Sequence, residues 1–195
     1  MSIRRAAIAA AGLALTALVV VGLVQLGSSP GAPSASKLSL AQMRSRLTGS
    51  PAPLASLHAQ AGLLLGGGMP ALKARLASLQ GRPVVINKWA SWCGPCRGEF
   101  GVFQRVSLKD GRRVAFLGID SEDSRREAAR FLRSSPVSYP SYFDPSGSMG
   151  LAASDSSFTP VTVFHGAHGG LFIHQGPYRS DAELERDIVR YGLDA

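Results

Sequence analysis

Cysteine is scarce in this sequence. The chain of 195 residues holds two, Cys93 and Cys96, which excludes a framework of several disulfides. A structural zinc site needs four ligands, usually two cysteine pairs or one pair with spaced histidines. Of the four histidines only His165 and His168 echo such a spacing, far along the chain in a glycine-rich stretch, so no metal site is expected. Acids are also few, 13 against 21 lysines and arginines, leaving a formal charge of +8. Arg4 and Arg5 carry two of those charges, and pairs such as Arg112-Arg113 and Arg125-Arg126 are interrupted by acids or apolar residues. Aromatic residues make up 7% of the chain and form no alternating stripe with the basic ones, so nucleic-acid binding is not expected.

One long uncharged run is present. After MSIRR, Ala6–Leu26 carries no charge and only Gln25 is strongly polar. The run is long enough to span a bilayer and longer than the usual apolar core of a cleaved signal peptide. Small residues at Ser34, Ala35 and Ser36 still permit cleavage, so a membrane anchor and a removed signal both stay open. In either case Arg4 and Arg5 keep to the cytoplasmic side and the rest is delivered beyond the membrane, as a single-pass membrane protein or a secreted one.

The expected organisation is 1–26 signal peptide or anchor, 27–37 flexible linker (GSSPGAPSASK), 38–69 N-terminal extension and 70–195 one α/β domain. LSLAQMRSRL has the spacing of a short amphipathic helix, whereas SPAPLASLHAQAGLLLGGG reads as loop-rich. PALKARLASLQ, 70–80, reads as a helix that opens on Pro70 and stops at Gly81. PVVINKW is a short buried strand, CRGEFGVFQRVSL a helix with Phe100, Phe103 and Val106 on one face, and VAFLGIDS a second strand. Ser124 caps a further helix, TPVTVFH and LFIHQG form a hairpin around GAHGG, and a last helix starts near Ser180. Strand-helix alternation of this kind implies a parallel sheet covered on both faces, extended here by the C-terminal hairpin.

Three chemistries compete for Cys93 and Cys96: zinc, a structural disulfide and electron transfer. A bridge that closes so short a loop removes little entropy from the unfolded chain and makes a weak staple. Redox chemistry accounts for the placement. The pair lies at a strand-to-helix junction, where unpaired N–H groups and the helix dipole favour a thiolate on Cys93. Cys96, one turn later, is positioned to resolve a mixed disulfide. Gly94 and Pro95 tighten the loop and fix its entry into the helix, and Trp92 flanks the sulfurs.

WCGPC at such a junction, followed by Thr159-Pro160 before a strand, resembles the thioredoxin superfamily. VVINKWASWCGPCRGE is similar to the TlpA/ResA-like thiol-disulfide oxidoreductases, with SPAPL and YFDPSG as less specific echoes, and the resemblance covers about residues 50–192. It implies a thioredoxin-like α/β fold, with a central mixed β-sheet flanked by helices on both faces and preceded by an N-terminal hydrophobic helix. It makes Pro160 a cis-proline facing the sulfurs and Thr159 the backbone partner of a bound substrate chain, with Trp92, Gly94 and Pro95 as the other substrate-binding positions. Asn87 occupies the place of thioredoxin's buried acid, and Glu99, in the family's R-x-E pattern, is its candidate replacement beside the catalytic cysteines. Two departures stand out. Phe100-Gly101 replaces the proline that often kinks the helix. Lys88 interrupts a buried strand, either to pair with Glu99 or another acid near the thiols, or to reach solvent along its stem.

The resemblance implies an extracytoplasmic enzyme of the cytochrome c maturation type that reduces substrate disulfides through Cys93 and Cys96, with no cofactor. Its partners would be exported proteins bearing disulfides or thiols and a membrane thiol-disulfide electron donor. An oxidase assisting disulfide formation, or a copper-binding chaperone on the same fold, remain the alternatives.

Overall fold

The computed structural model describes residues 38–193. The apolar run 1–26 and linker 27–37, with the expected N-terminal helix, lie outside the described residues. No helix among the described residues is long and apolar enough to cross a membrane.

The described chain opens with α1 (Leu40–Arg46), started by a reciprocal cap. Ser39 Oγ accepts from the Gln42 amide, and Gln42 Oε1 accepts from the Ser39 amide. The stretch expected as loop folds instead as α2 (Ala52–Ala59) and the two-residue strand β1 (Leu64–Leu65). Pro53, in the first turn of α2, needs no N–H partner there, and Leu54 and Leu57 enter the core one turn apart. Helix α3 (Gly68–Ser78) begins two residues before Pro70 and ends ahead of Gly81, which has φ +73°. The central unit follows: β2 (Val84–Trp89), α4 (Gly94–Asp110), β3 (Ala115–Ser121) and α5 (Arg125–Ser134), the last capped by Ser124. Next come β4 (Ser141–Asp144), α6 (Ser148–Ser154), β5 (Val161–His165), β6 (Leu171–Gln175) and α7 (Asp181–Asp187), which runs into a π-helical turn.

The six strands form one mixed sheet in the order β1-β4-β3-β2-β5-β6. β1, β4, β3 and β2 run parallel, β5 is antiparallel to β2, and β6 is antiparallel to β5. The segment 38–69, expected as an extension, thus supplies the sheet's edge strand as well as core residues.

Both faces of β2 are buried, and its alternating side chains serve different cores. Val85 and Trp89 point into an aromatic-rich layer with Phe100, Phe103, Phe131, Phe164 and Tyr178. Val84 and Ile86 point into an aliphatic layer with Leu54, Leu57, Leu72, Leu117 and Val163. The two polar residues of the strand divide in the same way: Asn87 faces the layer that holds both cysteines, and Lys88 faces away from it.

Candidate active site

The place of Cys93 is set by the end of β2. Trp89 is fully buried, with its indole N–H donating to Ser141 Oγ at 3.1 Å and its ring edge-on to Phe100 at 4.9 Å between centroids. Beyond it the chain turns through Ala90, Ser91 and Trp92, and the Ser91 amide is held by the Asp123 carboxylate. Cys93 is then the N-cap of α4. Its Sγ accepts from the Cys96 amide at 3.2 Å, where helix geometry exposes unpaired donors.

Cys93 and Cys96 are joined as a disulfide. Cys96 has no exposure, and Cys93 retains 4%. The Thr159 carbonyl oxygen lies 3.7 Å from Cys93 Sγ, and the Thr159–Pro160 bond just before β5 is cis. Gly94 and Pro95 form the exposed first turn of α4. Trp92 is 62% exposed, and its indole N–H donates to the Glu122 carbonyl at 2.9 Å. The fold thus brings all the sequence-selected positions of the loop and the Thr159-Pro160 pair to one end of the sheet.

Glu99, one turn beyond Cys96 on α4, has no exposure. Burial without a cation pushes its carboxyl up from 4.5 to about 8, against two donors that favour the ionised form. Asn87 Nδ2 donates to Oε1 at 2.7 Å, and the Tyr178 amide donates to Oε2 at 3.0 Å. A carboxyl in this range carries a proton at neutral pH and is able to exchange it. The helix continues through Phe100-Gly101 from Gly94 to Asp110, with Phe100 packed on Trp89 and Phe131.

The expected pairing of Lys88 with Glu99 does not occur. Adjacent strand residues project to opposite faces, so the side chain bonded to Glu99 is that of Asn87. Lys88 does not reach solvent either: it is 2% exposed, and Nζ donates to the Ser156 carbonyl at 2.7 Å. Burial lowers its pKa, against the more distant charges of Glu122 and Asp144. Tyr139 and Tyr142 are core residues, and Phe143 lies under the Arg125 guanidinium at 4.4 Å. Among the described residues no group of three or more His, Cys, Asp and Glu side chains is placed to hold a metal ion.

Two contributors escape sequence reasoning. The Tyr178 amide is a backbone donor, for which side-chain identity gives no signal. Asp120, register partner of Trp89, is fully buried with neither carboxylate oxygen hydrogen-bonded, and burial followed by the Asp123 charge raises its pKa to about 8. Its only signal is an acid near the end of an apolar strand.

Residues 48–162 match the Redoxin family. The chain belongs to that family, within the thioredoxin superfamily. Among curated proteins it is 36% identical over 98 residues to the thiol:disulfide interchange protein DsbE of Escherichia coli (strain K12), a match covering 43% of this chain and 51% of that protein. The chain therefore spans about half the length of the curated relatives it matches. Among solved structures, MTB dsbF in its mixed oxidized and reduced forms superposes with a TM-score of 0.53 at 27% identity, over 58% of this chain and 83% of that one. A secreted thiol-disulfide isomerase from Corynebacterium glutamicum gives 0.50 at 25%, over 56% and 71%.

Proposed function

We propose that this redoxin is an extracytoplasmic thiol-disulfide oxidoreductase that reduces disulfides of exported proteins, in the manner of cytochrome c maturation reductants. The observation that carries the reading is the Cys93–Cys96 disulfide at the start of α4, with buried Glu99 beneath it and Thr159-Pro160 beside it. The name of the E. coli relative and the secreted C. glutamicum protein support the activity and the compartment.

In the reduced enzyme the Cys93 thiolate attacks one sulfur of a substrate disulfide. The substrate S–S bond breaks, a Cys93–substrate bond forms, and the first substrate thiolate leaves and takes a proton from water. Cys96 then attacks Cys93 Sγ, its proton passing to Glu99, and the second substrate thiolate leaves. Two electrons have moved to the substrate, and the Cys93–Cys96 bond has formed. Glu99 then holds a proton, in keeping with its value of about 8 in the oxidised protein. A membrane dithiol donor returns the enzyme to the reduced state by the reverse exchange. Trp92 and the Thr159 backbone border the sulfur that the substrate approaches.

Trapping tests this assignment. A Cys96→Ala variant should accumulate mixed disulfides with exported proteins that dithiothreitol releases, and a Cys93→Ala variant should accumulate none. Equal trapping by the two variants, or none by either, would refute the assigned roles.

A further inference from the structure

Lys88 is a buried ammonium without a carboxylate partner. Among the described residues it forms no salt bridge, and its one hydrogen bond goes to the Ser156 carbonyl at 2.7 Å. Taking an ammonium out of water is costly, and well-packed apolar residues often replace buried charged groups without loss of stability. Stability therefore does not call for a lysine here.

The surroundings are nonetheless shaped for one. A Cβ at Gly150 of α6 would stand 2.9 Å from Lys88 Cε and 2.8 Å from Ser121 Oγ, so the absence of a side chain there lets the lysine stem through. Ser154 Oγ lies 3.2 Å from the same carbonyl, as the longer of two contacts, the shorter being its bond to the Gly150 carbonyl at 2.7 Å. Lys88, with the longer Ser154 contact beside it, acts on the segment that runs into the redox site. Ser156 Oγ accepts from the Phe158 amide at 3.2 Å, the Phe158 residue is 69% exposed, and the next residue is Thr159. In β2, Lys88 lies opposite Val161, the residue that follows Pro160.

We infer that Lys88 is a positioning residue for substrate recognition. Through the Ser156 carbonyl it holds the segment Ser154–Phe158, and with it the Phe158 ring and Thr159 backbone, beside Cys93 for a disulfide carried on an extended protein chain. This rests on the reductase reading above. It selects among substrates: a disulfide within a polypeptide needs the tethered segment, and a small disulfide that makes no contact there does not.

The test uses the full chain and two disulfides, insulin and bis(2-hydroxyethyl) disulfide. For Lys88→Met, kcat/KM for insulin should fall about tenfold through KM, in line with the sensitivity of catalysis to small misplacements. The small disulfide should change less than twofold, and the Cys93 thiol pKa should stay where it is. Unchanged insulin kinetics, or an equal loss on both substrates, would overturn the inference. Ser154→Ala removes the longer, 3.2 Å contact to the same carbonyl and should shift insulin KM in the same direction by a smaller factor, which keeps the test decisive if Lys88→Met fails to fold. Amide hydrogen exchange at residues 156–159 should quicken in Lys88→Met, and unchanged protection would refute the tether. If the wild type reduces neither disulfide, the reductase reading fails, and the exchange measurement still judges the tether.

Discussion

Asn87 and Glu99 meet at 2.7 Å across the β2–α4 boundary, linking the strand that leads to Cys93 with the helix that carries Cys96. The polar side chain that β2 turns toward the cysteines is thus a neutral amide, and the buried acid beside it comes from the helix. Because Asn87 donates, it favours the ionised form of Glu99 and limits the rise that burial causes.

Removing that donor should raise Glu99 further. In Asn87→Ala only the Tyr178 amide still faces the carboxyl, so its pKa should move above about 8. A carboxyl-carbon NMR titration of the oxidised protein reads this directly, and a fall would contradict the assigned hydrogen-bond direction.

Glu99 should also leave a mark on stability. Its folded value of about 8 exceeds its ordinary 4.5, so between those values the folded chain holds a proton that the unfolded chain has lost. That contribution is fully present below the lower value and is lost as pH rises through the upper one. Denaturant unfolding of the oxidised protein from pH 5 to 8 should show a steeper decline for the wild type than for Glu99→Gln, by up to about one proton. Asp120, raised to about 8 as well, supplies a similar slope to both proteins and cancels in the comparison. Parallel slopes would show that Glu99 ionises normally in the folded state.

Phe100 should be a large contributor to the fold. It packs edge-on against Trp89 and Phe131, at 4.9 and 4.6 Å between centroids, beneath the redox loop. Phe100→Ala should cost about 3–5 kcal/mol by equilibrium unfolding. A loss under about 1 kcal/mol would mean that the aromatic layer collapses to fill the gap.

Gly118 is required by close approach. A Cβ there would run into Ser141 Oγ and stand 2.9 Å from Trp89 Nε1, at the hydrogen bond that seats the last residue of β2. Gly118→Ala should destabilise by about 1–3 kcal/mol through overpacking. Its melting temperature measures this, and an unchanged value would contradict it.

Much of the fold was legible because its elements carry strong local signals. β2 and β3 are short, β-branched apolar runs, the helix after Cys93 places Phe100, Phe103 and Val106 on one face, and Ser124 and Ser180 both cap helices. What was not legible lacks such signals. α2, APLASLHA, has three alanines and two leucines with one proline and one serine, and packs by position more than by pattern. β4 is a four-residue strand beginning with Ser141, and α6 is built on Ser148, Gly150 and Ser154. At the site, spacing and resemblance single out Cys93, Cys96, Glu99 and the Thr159-Pro160 pair, and the fold places them together. Lys88 meets neither expectation, pairing with an acid or reaching solvent, because strand alternation turns it to the layer opposite Glu99 and its ammonium ends on a backbone carbonyl that no side-chain pattern marks. The Tyr178 amide depends on how the chain after β6 passes α4, a tertiary fact with no local trace.

The reduction potential of the Cys93–Cys96 pair, measured in a thiol redox buffer on the purified protein, tests the central claim most directly. A reductase should give a value close to the thioredoxin end of the range, about −270 mV, and a value near that of the strong oxidant DsbA, about −120 mV, would contradict the reductase reading.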